Sequence, residues 1–233
     1  MENEFRDRVA VVTGASSGIG RATAELLVAR GALVAIFARS SEKLAAIAAA
    51  HGSRMIAVEG DVADEAAIDR LFSDTESRLG DCQILVNAAG MIDPKLLHET
   101  PAESWDRMFA VNVRGAFLAS RRALPSMMAN RSGAIVNVSS ISGVVGPEKF
   151  PGFVSYCASK GAVISMTEAL AVELNDRGVR VNCISPGSVD TAMWAKASGE
   201  AAADMTPAEV AEAILFLASD RSRPMNGQNL RLW

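Results

Sequence analysis

The stretch Val9-Ala10-Val11-Val12-Thr13-Gly14-Ala15-Ser16-Ser17-Gly18-Ile19-Gly20 decides how the chain is read. Its first five residues are a short run of apolar and β-branched side chains, the pattern of a buried strand. Three glycines follow, and a helical pattern begins at Gly18. A glycine-rich turn at a helix N-terminus presents backbone N–H groups and the positive end of the helix dipole to a pyrophosphate. The glycines would equally serve a tight turn without ligand, but the order strand, turn, helix is the context a dinucleotide-binding loop requires.

Outward from that stretch, short apolar runs alternate with longer amphipathic ones. Strands are predicted over residues 9–13, 33–37, 54–59, 84–87, 134–138, 179–184 and 228–232. Helices are predicted over 18–30, closed by Gly31, and 41–51, ended by Gly52, and after Asp64 up to Gly80. Longer ones follow over 101–128 and 154–177, the second capped by Gly178, and a last one opens at Thr206-Pro207-Ala208-Glu209, a capping box with proline at the first helical position. Strand runs that are apolar throughout belong in a parallel sheet buried on both faces. With right-handed crossovers, this predicts an α/β, three-layer, doubly wound, Rossmann-like fold. The chain shows no linker, repeat or low-complexity tract, so residues 1–233 read as one domain.

Composition narrows the function. The chain has 233 residues, 49% hydrophobic and 21% charged, which suits a globular core and excludes disorder and coiled coil. A net charge of −4 argues against a nucleic-acid binder that works by neutralising phosphates. No apolar run approaches the ~18 residues needed to cross a bilayer. The first residues, Met1-Glu2-Asn3-Glu4-Phe5-Arg6, are polar and mixed in charge, unlike a signal peptide. Three cysteines, Cys82, Cys157 and Cys183, lack metal-ligand spacing, and their odd number suits a reducing compartment. His51 and His98 have no partners at ligand spacing, so no metal is expected. The expectation is a soluble cytoplasmic protein.

The second strand selects the sugar. An NAD site carries an acidic residue about 20 residues after the loop, to hold the ribose 2′-hydroxyl. Here the strand ends Ile36-Phe37-Ala38-Arg39-Ser40, with a guanidinium in place of the carboxylate. Its fork matches a phosphate, and Ser16, Ser17 and Ser40 could add hydrogen bonds. NADP is therefore expected over NAD, against the blander reading of Arg39 as a solvated helix-entry residue.

Tyr156 and Lys160 lie four apart on a predicted helix and share a face. An ammonium near a phenol favours phenolate, so a lowered Tyr156 pKa is expected, and with it general acid–base work near neutral pH.

Taken together the motifs resemble the short-chain dehydrogenase/reductase family along nearly the whole chain. They are the glycine loop with three residues between Gly14 and Gly18, Asp61-Val62, Asn87-Ala88-Ala89-Gly90, Asn112, Ser139-Ser140, Tyr156-Cys157-Ala158-Ser159-Lys160 and Pro186-Gly187-Ser188-Val189-Asp190-Thr191. The resemblance implies catalytic roles for Asn112, Ser140, Tyr156 and Lys160. Tyr156 would exchange a proton with the carbonyl oxygen, Ser140 would hydrogen-bond that oxygen, and Asn112 would support a water relay. Ser140 is favoured over Ser139 by the family's strand-end pattern. The cofactor-binding set it implies is Gly14, Ser16, Ser17, Gly18, Ile19, Gly20, Arg39, Ser40, Asp61, Val62, Asn87, Ala88, Gly90, Tyr156, Lys160, Pro186, Gly187, Val189 and Thr191. Asp61 and Val62 would touch the adenine, Lys160 the nicotinamide ribose, and Pro186, Gly187 and Thr191 the carboxamide.

The expected function is thus hydride transfer between NADP(H) and a carbonyl or secondary alcohol, with a 3-oxoacyl thioester as the leading specific substrate. The alternative is a non-catalytic NADP(H)-binding sensor or scaffold. Val144, Val145, Phe150 and Phe153 should wall the substrate site on one side, with a short lid near residues 192–205 on the other, where Met193 and Trp194 are candidate contacts. Lys149 and Lys196 are the cations of these two walls and read as solvated, so an apolar or medium-polarity ketone is favoured. Arg131 and Arg177 fall where the similar 3-oxoacyl-(acyl-carrier-protein) reductases have basic residues that dock the carrier, a weak pointer to that partner. A homodimer or homotetramer is expected.

Overall fold

A computed structural model describes residues 3–147, 149–198 and 201–233. In chain order the main elements are β1 (Val9–Thr13), α1 (Gly18–Ala29), β2 (Leu33–Ala38), α2 (Ser41–Ala49), β3 (Met55–Glu59), α3 (Glu65–Arg78), β4 (Ile84–Asn87), α4 (Ala102–Phe109), α5 (Gly115–Ala129), β5 (Gly133–Val138), α6 (Val154–Glu173), β6 (Val179–Pro186), α7 (Ala192–Ser198), α8 (Pro207–Ala218) and β7 (Asn229–Leu232). The strands form one seven-stranded sheet in the order β3-β2-β1-β4-β5-β6-β7. Every pairing is parallel, with Val12 opposite Ile36 on one side and Val86 on the other.

Strands buried on both faces need two cores, and the pleat supplies them. Ala10, Val12 and Ile36 point into one cluster with α1, α2 and α8. Val11, Ala35 and Phe37 point into the other, with α3, α5 and α6. This is the predicted doubly wound α/β sandwich. Successive strands step outward from β1 to β3, and the chain then returns to place β4 on the other side of β1. Such a switch opens a crevice beyond the C-terminal strand ends, where open α/β sheets bind ligands.

Several boundaries differ from the sequence reading by one or two residues, and the larger differences have physical causes. The long helix predicted over 101–128 is broken by a π-helical turn, Ala110–Arg114, between α4 and α5. Helix α6 stops at Glu173, before Gly178. Strand β6 runs two residues further, through Pro186, because β7 pairs along it to that point. At the other end of the prediction, Thr206 and Glu209 form the expected capping box on α8. Among the described residues no helix is long and apolar enough to cross a membrane, and no group of three or more His, Cys, Asp or Glu could hold a metal.

Candidate active site

The loop after β1 is shaped by what glycine omits. Gly14 has φ +70°, and a Cβ there would fall 2.6 Å from the Cα of Ala89, so the β1 and β4 loops touch backbone to backbone. Thr13 Oγ1 accepts the Ala89 amide at 3.3 Å and ties the same two loops. A Cβ on Gly20 would meet the Gly14 carbonyl at 2.5 Å, which lets α1 start directly against the turn. Ser17 caps α1 in an extended conformation without a side-chain cap bond, leaving first-turn amides to other acceptors.

Two clefts flank this turn. One, of about 420 Å³, lies over the C-terminal strand ends and is lined by Ile19, Ala88, Gly90, Ser140, Tyr156, Lys160, Pro186, Gly187, Val189 and Thr191 from the predicted set. The other, of about 450 Å³, lies between α1 and α2 and takes Ser16, Ser17 and Gly18, together with Arg21 and Lys43. The glycine turn therefore stands between two concavities, as a pyrophosphate joining two nucleotide halves requires. The residues present fit a dinucleotide.

Tyr156 and Lys160 do share a face of α6, and both are buried. Lys160 Nζ donates to the Val138 carbonyl at 2.8 Å and stands 5.8 Å from the centre of the Tyr156 ring. Gly90 makes room for it: a Cβ there would lie 3.4 Å from that ammonium. Burial pulls Lys160 down to about 8. The expected lowering of Tyr156 does not occur in the protein's own field. Burial pushes the phenol up to about 12, and only the Ser140 hydroxyl pulls the other way. Desolvation of the phenolate outweighs that hydrogen bond.

Ser140 ends the loop after β5 and caps the 3₁₀ turn Ile141–Gly143, its Oγ accepting the Ser142 amide at 3.2 Å. Ser139 also borders the cleft, but its hydroxyl donates to the Lys160 carbonyl at 2.7 Å, a bond that fixes α6 on the sheet. Asn112 sits on the π-helical turn, buried, its amide donating to Met91 O at 3.0 Å and Ser159 Oγ at 2.9 Å and accepting from Met91 N at 2.8 Å. A π-turn is a costly local irregularity that recurs at functional sites.

Other predicted positions lie outside both clefts. Asn87 turns its side chain into the core, donating to Asn137 Oδ1 at 2.8 Å and Ser120 Oγ at 3.2 Å, and its Oδ1 is buried without a partner among the described residues. Val62 is buried against Gly115. Arg39 is exposed at the end of β2, with Ser40 capping α2. Asp61 is partly buried, which would raise its pKa, but the Ala63 amide, its ion pair with Arg107 and the charge of Arg39 bring it below the usual carboxylate value.

The substrate walls are tied by contacts that sequence reading missed. Lys196, on α7, donates to the Ile92 carbonyl at 3.1 Å, and Trp194 Nε1 to Ala201 O at 2.9 Å. Lys149 donates to carbonyls of the Ser140 turn. None of these lysine bonds is to a carboxylate, so residue type carried no signal for them. Phe153 meets the Tyr156 ring edge-on at 6.0 Å. Ile92, Ile141, Pro147, Ser188, Asp204 and Trp233 also line the main cleft. Arg131 is turned to the Asp176 carbonyl at 3.0 Å, and Arg177 is exposed.

The short chain dehydrogenase family pattern matches residues 8–202. The chain belongs to that family. It is similar to a 2-(R)-hydroxypropyl-CoM dehydrogenase of Xanthobacter autotrophicus, 38% identical with 96% of each chain covered. It is similar also to a cis-4-hydroxycyclohexanecarboxylate dehydrogenase of Sinomonas cyclohexanicum, at 41% identity over 94% of this chain and 92% of the relative. A third relative is a 3-oxoacyl-(acyl-carrier-protein) reductase of Staphylococcus aureus, at 35% identity over 96% of this chain and 95% of the relative. As a short-chain dehydrogenase the protein is an oxidoreductase that uses a nicotinamide cofactor.

Proposed function

We propose that this short-chain dehydrogenase interconverts a carbonyl and a secondary alcohol with NADP(H). The observation that carries the reading is the single cleft wall formed by Ser140, Tyr156 and Lys160 beside the glycine turn. The nicotinamide cofactor, when bound, supplies or accepts the hydride. Tyr156, kept protonated by burial, gives its proton to the carbonyl oxygen in reduction and takes it back in oxidation. Ser140 holds that oxygen, Lys160 the nicotinamide ribose, and Asn112 the proton relay behind them. Arg39, at the end of β2, and Lys43, on the second cleft, give a 2′-phosphate cationic partners where an NAD site would place a carboxylate.

The main cleft is walled mostly by apolar side chains, including Ile92, Ile141, Phe150, Phe153 and Met193. It suits a small or medium ketone and its alcohol, with a 3-oxoacyl thioester as the leading candidate. Of the segment 192–205, residues 192–198 and 201–205 would act as its lid, and residues 199 and 200 lie outside the described residues. Trp105 stacks on Phe109 at 4.8 Å, and Phe117 and Val172 are 45% and 79% exposed, which gives α4, α5 and α6 an apolar face for a second copy.

Tyr156→Phe tests the reading. It should cut kcat by ~10²–10⁴ while the NADPH dissociation constant, read by fluorescence, changes less than twofold. Unchanged turnover would remove the phenol from the chemistry. A wild type that binds NADPH tightly and consumes none of it would favour a sensor.

A further inference from the structure

Ser140 depends for its position on a turn packed on α6 along one edge and open along the other. After Ile141–Gly143 the chain loops outward: Val145 is 95% exposed, and Gly146 has φ +108° with open space around its Cα. The inner edge of the turn is firm, since a Cβ on Gly143 would fall 2.5 Å from the backbone of Lys160. The Ile141 carbonyl accepts the Val144 amide at 3.0 Å, and the outer edge leaves the carbonyls of Ser142 and Val144 to be satisfied. Lys149 reaches back across the loop to them, its Nζ 2.5 Å from Val144 O, 2.9 Å from Ser142 O and 3.5 Å from Ile141 O. An ammonium has three donors, so one side chain can gather several carbonyls. Ser142, whose carbonyl it holds, is also the residue whose amide bonds Ser140 Oγ.

We propose that Lys149 is a positioning residue for Ser140: it clamps the turn that fixes the serine hydroxyl beside Tyr156. The ammonium and Ser140 grip the same residue from its two sides, one through the Ser142 carbonyl and the other through its amide. Without the clamp the turn loses its outer edge, and Ser140 Oγ samples rotamers that do not face the substrate oxygen. Misplacement of a positioned group costs rate rather than binding. Lys149 is followed by Phe150, which packs on Phe153 at 5.6 Å, so a role in shaping the aromatic wall would act on KM for the carbonyl instead. The catalytic part of this inference rests on Ser140 holding the substrate oxygen.

The test is a double-mutant cycle with Lys149→Met, Ser140→Ala and both together, reading kcat and KM separately on a ketone the wild type reduces, with exchange of the Ser142 amide followed in parallel. Lys149→Met keeps the stem and removes the donors. It should lower kcat about tenfold with KM for NADPH unchanged, and Lys149→Arg should recover kcat to within threefold. In the Ser140→Ala background Lys149→Met should cost less than twofold, because its target is gone. The Ser142 amide should exchange about tenfold faster in Lys149→Met, with the global melting temperature unmoved. An undiminished tenfold loss in the Ser140→Ala background, or a change confined to KM, overturns the proposal. If the wild type reduces no ketone, hydride transfer fails as the function, and the amide exchange alone decides whether Lys149 holds the turn: faster exchange upholds the clamp and unchanged exchange refutes it.

Discussion

Lys160 stands 5.8 Å from the centre of the Tyr156 ring while spending its hydrogen bond on the carbonyl of Val138. The ammonium is therefore anchored to the sheet, not to the phenol, and it is held at a cost. Burial lowers Lys160 from 10.5 to about 8 and raises Tyr156 to about 12. The pair is built to keep the phenol protonated until other positive charge arrives.

That cost is measurable. Between pH 8 and 10.5 the unfolded chain carries a proton on Lys160 that the folded chain has released, so this group makes stability rise with pH across that window and leaves its full penalty below pH 8. The wild type should gain ~3 kcal/mol on Lys160→Met over that range. Urea unfolding of both proteins at pH 7.5 and pH 10.5 checks it. A constant gap would mean that Lys160 keeps its ordinary pKa.

Gly14→Ala should destabilise the fold as well as the site. The new methyl group would have to lie 2.6 Å from Ala89 Cα, with φ +70° adding backbone strain. Overpacking against main chain that cannot yield should cost ~3 kcal/mol or more, seen as a lower urea midpoint, with NADPH affinity falling at least tenfold.

The strand runs and helix stops made the sheet legible, because a buried parallel strand leaves an unbroken apolar run and a glycine marks where a helix ends. Asn112 shows where legibility stops. Its place on a π-helical turn was hidden, since one inserted residue barely disturbs a 3.6-residue period. Ser140, Tyr156 and Lys160 were singled out by residue type and spacing, and the fold brings them to one cleft. Lys149 and Lys196 are exposed, as expected, but their bonds were hidden, because the partners are backbone carbonyls, which every residue possesses. The raised pKa of Tyr156 was equally hidden, being a property of the core packed around it.

The apolar face on α4, α5 and α6 predicts self-association. Phe117→Glu with Val172→Glu should shift the protein to monomer in sedimentation velocity, while the wild type sediments as a dimer or tetramer. Both side chains are largely exposed in the single chain, so the monomeric variant should keep its melting temperature to within a few degrees. A monomeric wild type would refute this role for the face.

The most direct test of the central claim is the initial rate of NADPH and NADH oxidation with acetoacetyl thioester and a panel of small ketones. Turnover is expected with NADPH, at least tenfold faster in kcat/KM than with NADH, and Arg39→Asp should narrow or invert that ratio by 10- to 100-fold, about the worth of a charge-assisted contact. Equal use of NADH would place Arg39 in solvent with no part in selection. NADPH bound but unconsumed across the whole panel would contradict the assignment of Ser140, Tyr156 and Lys160 to carbonyl reduction.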